Sequence, residues 1–467
     1  MMVDTLIRGG TVVNSTGMQP ADLILERGKI VGMGTLGVEV TARREIDARG
    51  LFVLPGLIDP HVHFQMPFMG TETRHDFYGG TVAAAFGGVT TIIDFAFQER
   101  GGKALDAVRA RQSLAEGHAC IDYSFHAIFT DVNHETPRQL EELDEAGIPT
   151  WKIFMAYRRM GIMVDDGGLT ALLEASSRLP CVGIVHAENA AIIEFLIDRF
   201  LAEGKTSARY HALSRPRLAE AEAVARAGRL AGAAQSPLYI FHVSSADALA
   251  EIRAARAQGW PIYAETCPHY LCLDAAMYDR PDGYLWCMSP PLRAQADRDA
   301  LWQALADGTL SVVSTDDAAF DAESKRRGSD SFDRIPNGIP GVEVRLPILY
   351  SEGVVGGRID LPRLVALTAT NPARLTGLYP RKGQIAVGAD ADLVLFDPTH
   401  RTTLSIRNSH MPTGWHPYEG MPVVGMPVMT IAAGQVIVED GKFKGREGAG
   451  QFIKRHIDPA LKHSPIF

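Results

Sequence analysis

The chain is 467 residues long, with 46% hydrophobic and 22% charged residues, a composition typical of a globular protein. Its net charge of −9 excludes a basic face for nucleic acid or an anionic membrane, so we expect neither as a partner. No apolar stretch has the length of a signal-peptide core or a membrane span, and the five cysteines form no CxxC pair. These features predict a cytoplasmic protein.

Short β-strands separated by glycine turns are predicted at both ends of the chain. They lie in "TLIRGGTVVN" and "ADLILERGKIVGMG" near the start, and in "ADADLVLFDP" and "MPVMTIAAGQVIVEDGKF" near the end. We therefore expect residues 1–50 and 385–467 to form one composite β-sandwich with a C-terminal tail, enclosing a larger domain over residues 51–384.

The enclosed domain alternates apolar strands with alanine-rich helices. Eight strands are predicted, at residues 50–59, 89–96, 121–129, 150–155, 181–186, 238–243, 260–266 and 310–316. This pattern predicts an α/β protein with a parallel (β/α)₈ TIM-type barrel. An open doubly wound sheet is the alternative, but no glycine-rich nucleotide loop follows the first strand.

Polar side chains stand where the predicted strands end, and the active site of a parallel barrel lies at that end. His61 and His63 sit two residues apart in "DPHVHF", so both imidazoles can reach one centre. The other strands contribute Lys152, His186, His242 and Asp316. Imidazole and carboxylate ligands suit zinc, and two metal ions can share such a cluster.

Lys152 is unusual because it lies inside the apolar run "PTWKIFMAY", and burying an ammonium group is costly. A cationic lysine cannot bind a metal. Carbon dioxide can convert an uncharged amine to a carbamate, an anionic group able to bridge two cations. The spacing of the residues alone does not decide this.

Motifs along nearly the whole chain resemble the cyclic-amidohydrolase branch of the amidohydrolase superfamily, and most of all dihydropyrimidinases and D-hydantoinases. They occur in that family's order: "PGLIDPHVHFQMPFMGTET", "GGTVAAAFGGVTTIIDF", "WKIFMAY", "VHAEN", "FHVSS", "AETCPHYL", "MSPPLR" and "IPNGIPGVE".

The resemblance implies a role for each candidate residue. His61 and His63 would hold one metal ion, His186 and His242 a second, and carbamylated Lys152 (N6-carboxylysine) would bridge the two ions, for which zinc is favoured. Asp316 would bind a metal ion and shuttle the proton. The substrate would contact the side chain or backbone of Tyr157, Ser289 and Asn337, with Tyr157 stabilising the oxyanion.

The implied reaction is hydrolysis of a cyclic amide, a dihydropyrimidine or a 5-substituted hydantoin, to an N-carbamoyl amino acid by a metal-bridging hydroxide. The alternatives are an allantoinase, a dihydroorotase or a non-catalytic scaffold related to dihydropyrimidinase. Dihydroorotases carry an arginine where this chain has Gln65, and a neutral amide cannot pair with a substrate carboxylate. A homotetramer is also implied, and we expect the C-terminal tail to pack on a neighbouring subunit.

One motif departs from that family. "STDDAAF" has Asp317 and Ala318 where those enzymes have histidine and then usually cysteine. Asp317 would raise the proton affinity of Asp316 if both carboxyl groups faced the site. It would leave the site unaffected if it pointed away and capped the next helix, which is the arrangement we favour.

Overall fold

A computed structural model describes residues 2–35, 40–463 and 466. Its centre is a sheet of eight strands, each parallel to its neighbours and following one another in chain order. An isolated parallel bridge between Val62 and Asp317 joins the segments that follow the first and the eighth strand. The predicted barrel is thereby confirmed, with strands at Leu57–Asp59, Val89–Phe97, Asp122–Ile128, Thr150–Phe154, Val182–His186, Leu238–Ile240, Ile262–Thr266 and Val312–Val313.

Helices alternate with these strands, as the alanine-rich segments predicted. The longer ones cover the outside of the barrel and bury alanine and leucine side chains against it. The α-helices described are Phe77–Phe86, Ala104–Ala115, Thr136–Glu145, Asp166–Ser176, Ala190–Ala202, Arg209–Ser214, Arg217–Ala234, Ala246–Ala257, Pro268–Cys272, Gln295–Asp307, Ala322–Arg327, Arg345–Ile348, Leu361–Val365 and Asn371–Thr376. Among the residues described, no helix is long and apolar enough to cross a membrane.

The prediction that residues 50–59 form a single barrel strand is wrong. Phe52–Pro55 pairs with strands of the terminal sheet, whereas Leu57–Asp59 begins the barrel. Gly56 separates the two strands, and a Cβ atom there would lie 2.2 Å from Thr90 Oγ1. The chain therefore changes sheets at a position where only glycine fits.

The two ends of the chain meet in one nine-stranded, mostly antiparallel sheet. Its strands are Met2–Asn14, Gly17–Glu26, Lys29–Gly34, Thr41–Asp47, Phe52–Pro55, Leu393–Thr403, Pro422–Ala432, Gln435–Glu439 and Lys442–Phe443. Apolar side chains from both ends, such as Leu23 and Ile431, share a single buried cluster. A composite domain built from both termini is what the sequence predicted; its limits at residues 50 and 385 stay a prediction.

The C-terminal tail packs on its own barrel, and the expectation that it packs on a neighbouring subunit stays a prediction. The backbone of Gln451 and Ile453 exchanges hydrogen bonds with Tyr123 in the third barrel strand at 3.0 and 2.8 Å. Arg455 is fully buried, and its guanidinium donates to Ser124 Oγ at 2.8 Å. The tail thus lies against the barrel instead of projecting from the subunit.

Candidate active site

All nine residues singled out from the sequence line one cavity at the carboxyl end of the barrel strands. They are His61, His63, Lys152, Tyr157, His186, His242, Ser289, Asp316 and Asn337. Two of the positions differ from expectation in detail. The sixth and eighth strands end at Ile240 and Val313, so His242 and Asp316 lie in the loops that follow. All nine side chains nevertheless line the same cavity.

Three of these residues hold unusual backbone conformations. Tyr157, His242 and Asp316 have positive φ values of 63°, 42° and 49°. Non-glycine residues rarely adopt this region, and it costs on the order of 1–3 kcal/mol at each position. The surrounding loops hold the three side chains in place against that cost, as is common at active sites.

Asp316 joins the two histidines that follow the first strand. Its Oδ1 atom lies 2.9 Å from His61 Nε2 and 3.1 Å from His63 Nε2. These three groups offer ligand atoms within 4.8 Å of one another, the arrangement a cation needs. Burial alone would raise the pKa of Asp316, but the charge of His61 and the hydrogen bonds from His61 and His63 together outweigh it and hold that pKa well below its ordinary range.

His186 and His242 form the second group of potential ligands. The Nδ1 atom of His186 faces the Nε2 atom of His242 at 3.0 Å. Burial lowers the pKa of both imidazoles, and that of His63 as well. Neutral imidazoles have the free lone pair that a metal ion requires, so this donor set fits a divalent cation.

Two buried carboxylates orient the histidines from behind, and the sequence reasoning assigned neither. Glu265 accepts a hydrogen bond from His61 Nδ1 at 2.6 Å and another from the Tyr239 hydroxyl. Glu188 lies 2.7 Å from His186 Nε2. Such partners fix which ring nitrogen is free to bind a metal ion. The sequence position of these glutamates could have revealed them, because Glu265 in "AETCPHYL" and Glu188 in "VHAEN" both lie beside the ends of predicted strands.

Glu188 has a second partner that stabilises its charge. Arg215 donates to the same Oε2 atom at 2.6 Å, and both side chains are buried. Burial alone would raise the pKa of Glu188, but the charge of Arg215 and the hydrogen bond and charge of His186 together outweigh it and lower that pKa to about 2. Glu188 is therefore an anion at neutral pH, which suits its contact with His186.

Lys152 is 2% exposed and lies among aromatic rings. Its Nζ atom is 4.2 Å from the centroid of the Phe241 ring and 5.2 Å from that of Phe154. Burial lowers its pKa to about 7, although Asp316 and Glu265 oppose the shift. A substantial fraction of this amine is uncharged at neutral pH, which is the form that reacts with carbon dioxide.

Tyr157 faces the histidines from the fourth strand's loop. Its ring centroid is 5.3 Å from that of His186 and 5.8 Å from that of Phe68. Burial raises the pKa of its phenol, against the opposing effects of Arg215 and of the Ser289 and Asn337 side chains. The phenol thus stays protonated at neutral pH and can donate a hydrogen bond.

Asp317, the residue that departs from the family motif, is fully buried and faces away from the histidine cluster. Its carboxylate lies 2.9 Å from His75 Nδ1 and accepts from the backbone amides of Gly341 and Val342 at 2.7 and 2.9 Å. The expectation that it caps the next helix is wrong in its detail, because Asp321 caps that helix. The expectation that it points away from the site holds.

Comparison with known proteins agrees with this geometry. Residues 52–437 match the model of the amidohydrolase family. A D-hydantoinase of Geobacillus stearothermophilus is 43% identical over 96% of each chain. The crystal structure of dihydropyrimidinase from Brevibacillus agri is 42% identical, with a TM-score of 0.94 over 97% of this chain and 98% of that one. L-Hydantoinase from Arthrobacter aurescens is 32% identical, with a TM-score of 0.90 over 97% of this chain and 100% of that one.

The chain therefore belongs to the amidohydrolase family. Within that family it is an enzyme of the cyclic amidohydrolase group, the group that contains the relatives named above. Membership implies divalent metal ions, and His61, His63 and Asp316 supply a candidate group of ligands for one of them.

Proposed function

We propose that this enzyme opens the ring of a dihydropyrimidine or a 5-substituted hydantoin and releases an N-carbamoyl amino acid. The observation that carries the proposal is the convergence of all nine candidate residues in one cavity. The names of relatives that are 42–43% identical over nearly the full chain support the substrate class.

The metal ions are proposed to be zinc, with His61 and His63 at one position and His186 and His242 at the other. Lys152 is proposed to bridge them as a carbamate, which its pKa of about 7 supports because the neutral amine is the reactive form. When bound, the pair of ions lowers the pKa of a water molecule and polarises the ring carbonyl.

The chain's own residues then move protons and orient the ring. Asp316 is an anion at neutral pH, so it can accept a proton from the attacking water and return it to the leaving ring nitrogen. Tyr157 is protonated and donates a hydrogen bond to the oxyanion. The backbone groups of Ser289 and Asn337 hold the ring amide. Each role depends on the short distances within one cavity.

We further propose a homotetramer in the cytoplasm. All five cysteines are free, which supports a reducing compartment. Light scattering of the metal-loaded protein tests the assembly, and a mass corresponding to one subunit would contradict it.

The experiment that tests the function compares four substrates: dihydrouracil, a 5-substituted hydantoin, allantoin and dihydroorotate. Protein purified with zinc and bicarbonate should open the first two rings, and chelator-treated protein should open none. Asp316→Asn is the matched control, because it keeps the size of the side chain but cannot carry the proton. Turnover of allantoin or dihydroorotate alone would refute the substrate class.

A further inference from the structure

Two backbone segments that lie far apart in the chain meet beside the candidate site. One carries Ser289 and the other carries Asn337, the two residues proposed to hold the ring amide. They are joined directly by one hydrogen bond, from Gly338 N to the Cys287 carbonyl at 3.0 Å. The gap between Ser289 and Asn337, and hence the fit of the ring, depends on what else fixes these segments.

Lys325 lies between the two segments. It belongs to the short helix Ala322–Arg327, and its side chain is fully buried. Its Nζ atom donates to the Cys287 carbonyl at 2.8 Å and to the Pro336 carbonyl at 2.9 Å. One acceptor lies two residues before Ser289, and the other immediately precedes Asn337. A single amine thus ties the two segments to each other.

Packing alone does not account for a lysine at this position. Within the described part of the chain no carboxylate pairs with it, and burial lowers its pKa to about 7. A buried cation without a counter-ion is costly, and an apolar side chain of similar volume fills such a space at lower cost. What the amine adds is two directed hydrogen bonds, and its neutral form retains two N–H groups to make them.

We propose that Lys325 is a positioning residue that sets the distance between the two substrate-holding segments. The inference rests on the proposed function, since it assumes that Ser289 and Asn337 hold the ring. The two hydrogen bonds of the Lys325 amine go to backbone carbonyls, and Lys325 is not among the residues that line the candidate cavity. Its effect therefore falls on substrate binding and orientation, and leaves metal binding intact.

The test compares Lys325→Met with Lys325→Gln in the zinc-loaded full-length protein. Methionine keeps the volume and removes both donors, so kcat/KM should fall about 10²-fold, the usual effect of misplacing a substrate by roughly 1 Å. A raised KM should account for part of that fall. Glutamine still donates from its amide, so kcat/KM of Lys325→Gln should be at least about tenfold higher than that of Lys325→Met. Both variants should keep the wild-type zinc content. Leu305→Ala, a buried change on helix Gln295–Asp307, controls for loss of stability and should leave KM unchanged.

Hydrogen–deuterium exchange separates failure of this inference from failure of the proposed function. Lys325→Met should speed exchange in peptides that cover residues 287–293 and 336–342, and leave the third barrel strand, Asp122–Ile128, as it is in the wild type. This readout needs no turnover, so it stands even if the wild type opens none of the rings. Unchanged exchange, or faster exchange with unchanged KM and kcat, would overturn the positioning role.

Discussion

Glu265 offers a sharp test of how the candidate metal ligands are held. Its carboxylate is fully buried and accepts from His61 Nδ1 at 2.6 Å, which leaves His61 Nε2 free to face Asp316. Glu265→Gln keeps an oxygen that can accept the same hydrogen bond but removes the negative charge. Glu265→Leu removes the charge and the acceptor together. The two variants therefore separate orientation of the ring from electrostatic support.

The expected loss of metal affinity follows from that contact. Removing an outer partner of a metal-binding histidine typically weakens binding by about 10–100-fold. That range corresponds to about 1.4–2.8 kcal/mol, because each tenfold change is about 1.4 kcal/mol. We expect Glu265→Gln near the lower limit, since the ring keeps its orientation, and Glu265→Leu near the upper limit. Tyr239→Phe, which removes only the hydroxyl that contacts Glu265, should change affinity less than either.

The assay is a titration of zinc-loaded protein with a competing chelator, followed by measurement of zinc per subunit. Because Glu188 contacts His186 instead, the Glu265 variants should first lose the metal ion proposed at His61 and His63. Circular dichroism of each variant controls for unfolding. A Glu265→Leu protein that retains zinc as tightly as the wild type would show that the contact between Glu265 and His61 does not strengthen metal binding.

Four further perturbations follow from the site. Lys152→Ala should lose zinc and activity together, with partial rescue by a small added carboxylate; full zinc content and rate would exclude the bridging role. At a fixed concentration of dissolved carbon dioxide, reconstitution of metal-free wild type with zinc should speed up as the pH rises through about 7, because formation of the proposed carbamate consumes the neutral form of Lys152; a rate independent of pH would contradict this. Tyr157→Phe should lower kcat by about 10²–10³-fold at unchanged zinc content, and an unchanged kcat would remove the oxyanion role. Asp317→Ala leaves His75 and two backbone amides without their buried hydrogen-bond partner, so the free energy of unfolding should fall by about 3–5 kcal/mol in urea denaturation. Asp317→Asn should lose less. Equal stability of the alanine variant and the wild type would contradict a stabilising role for these contacts.

The barrel was predictable because each of its strands is buried on both faces and reads as a continuous apolar run. The same property caused the error at residues 50–59. Phe52–Pro55 and Leu57–Asp59 are both apolar, so hydrophobicity does not reveal that the chain changes sheets at Gly56. That change depends on a tertiary contact, the close approach of Thr90.

The positions of the candidate ligands could be predicted from the order of the strands. The residues that hold these ligands in place could not. His61 and His63 share a short motif, but Glu265 reaches His61 across 204 residues of sequence. Arg215 and Glu188 are likewise joined only by the fold. Asp317 shows the same limit, because its direction depends on His75 and on the amides of a segment more than 20 residues further along. A single sequence contains no signal for such pairings.

The composite sheet also has a consequence for how the protein is made. Asn14 donates to the carbonyl of Ile385 at 3.0 Å, and the two residues are 371 positions apart. At a synthesis rate of about 5–20 residues per second, roughly 20–75 s separate the synthesis of these two residues. During that interval the early strands can pair only with one another, and Phe52–Pro55 lacks its partner Leu393–Thr403, which leaves an exposed edge prone to aggregation. The sheet is therefore completed only after nearly the whole chain has been made.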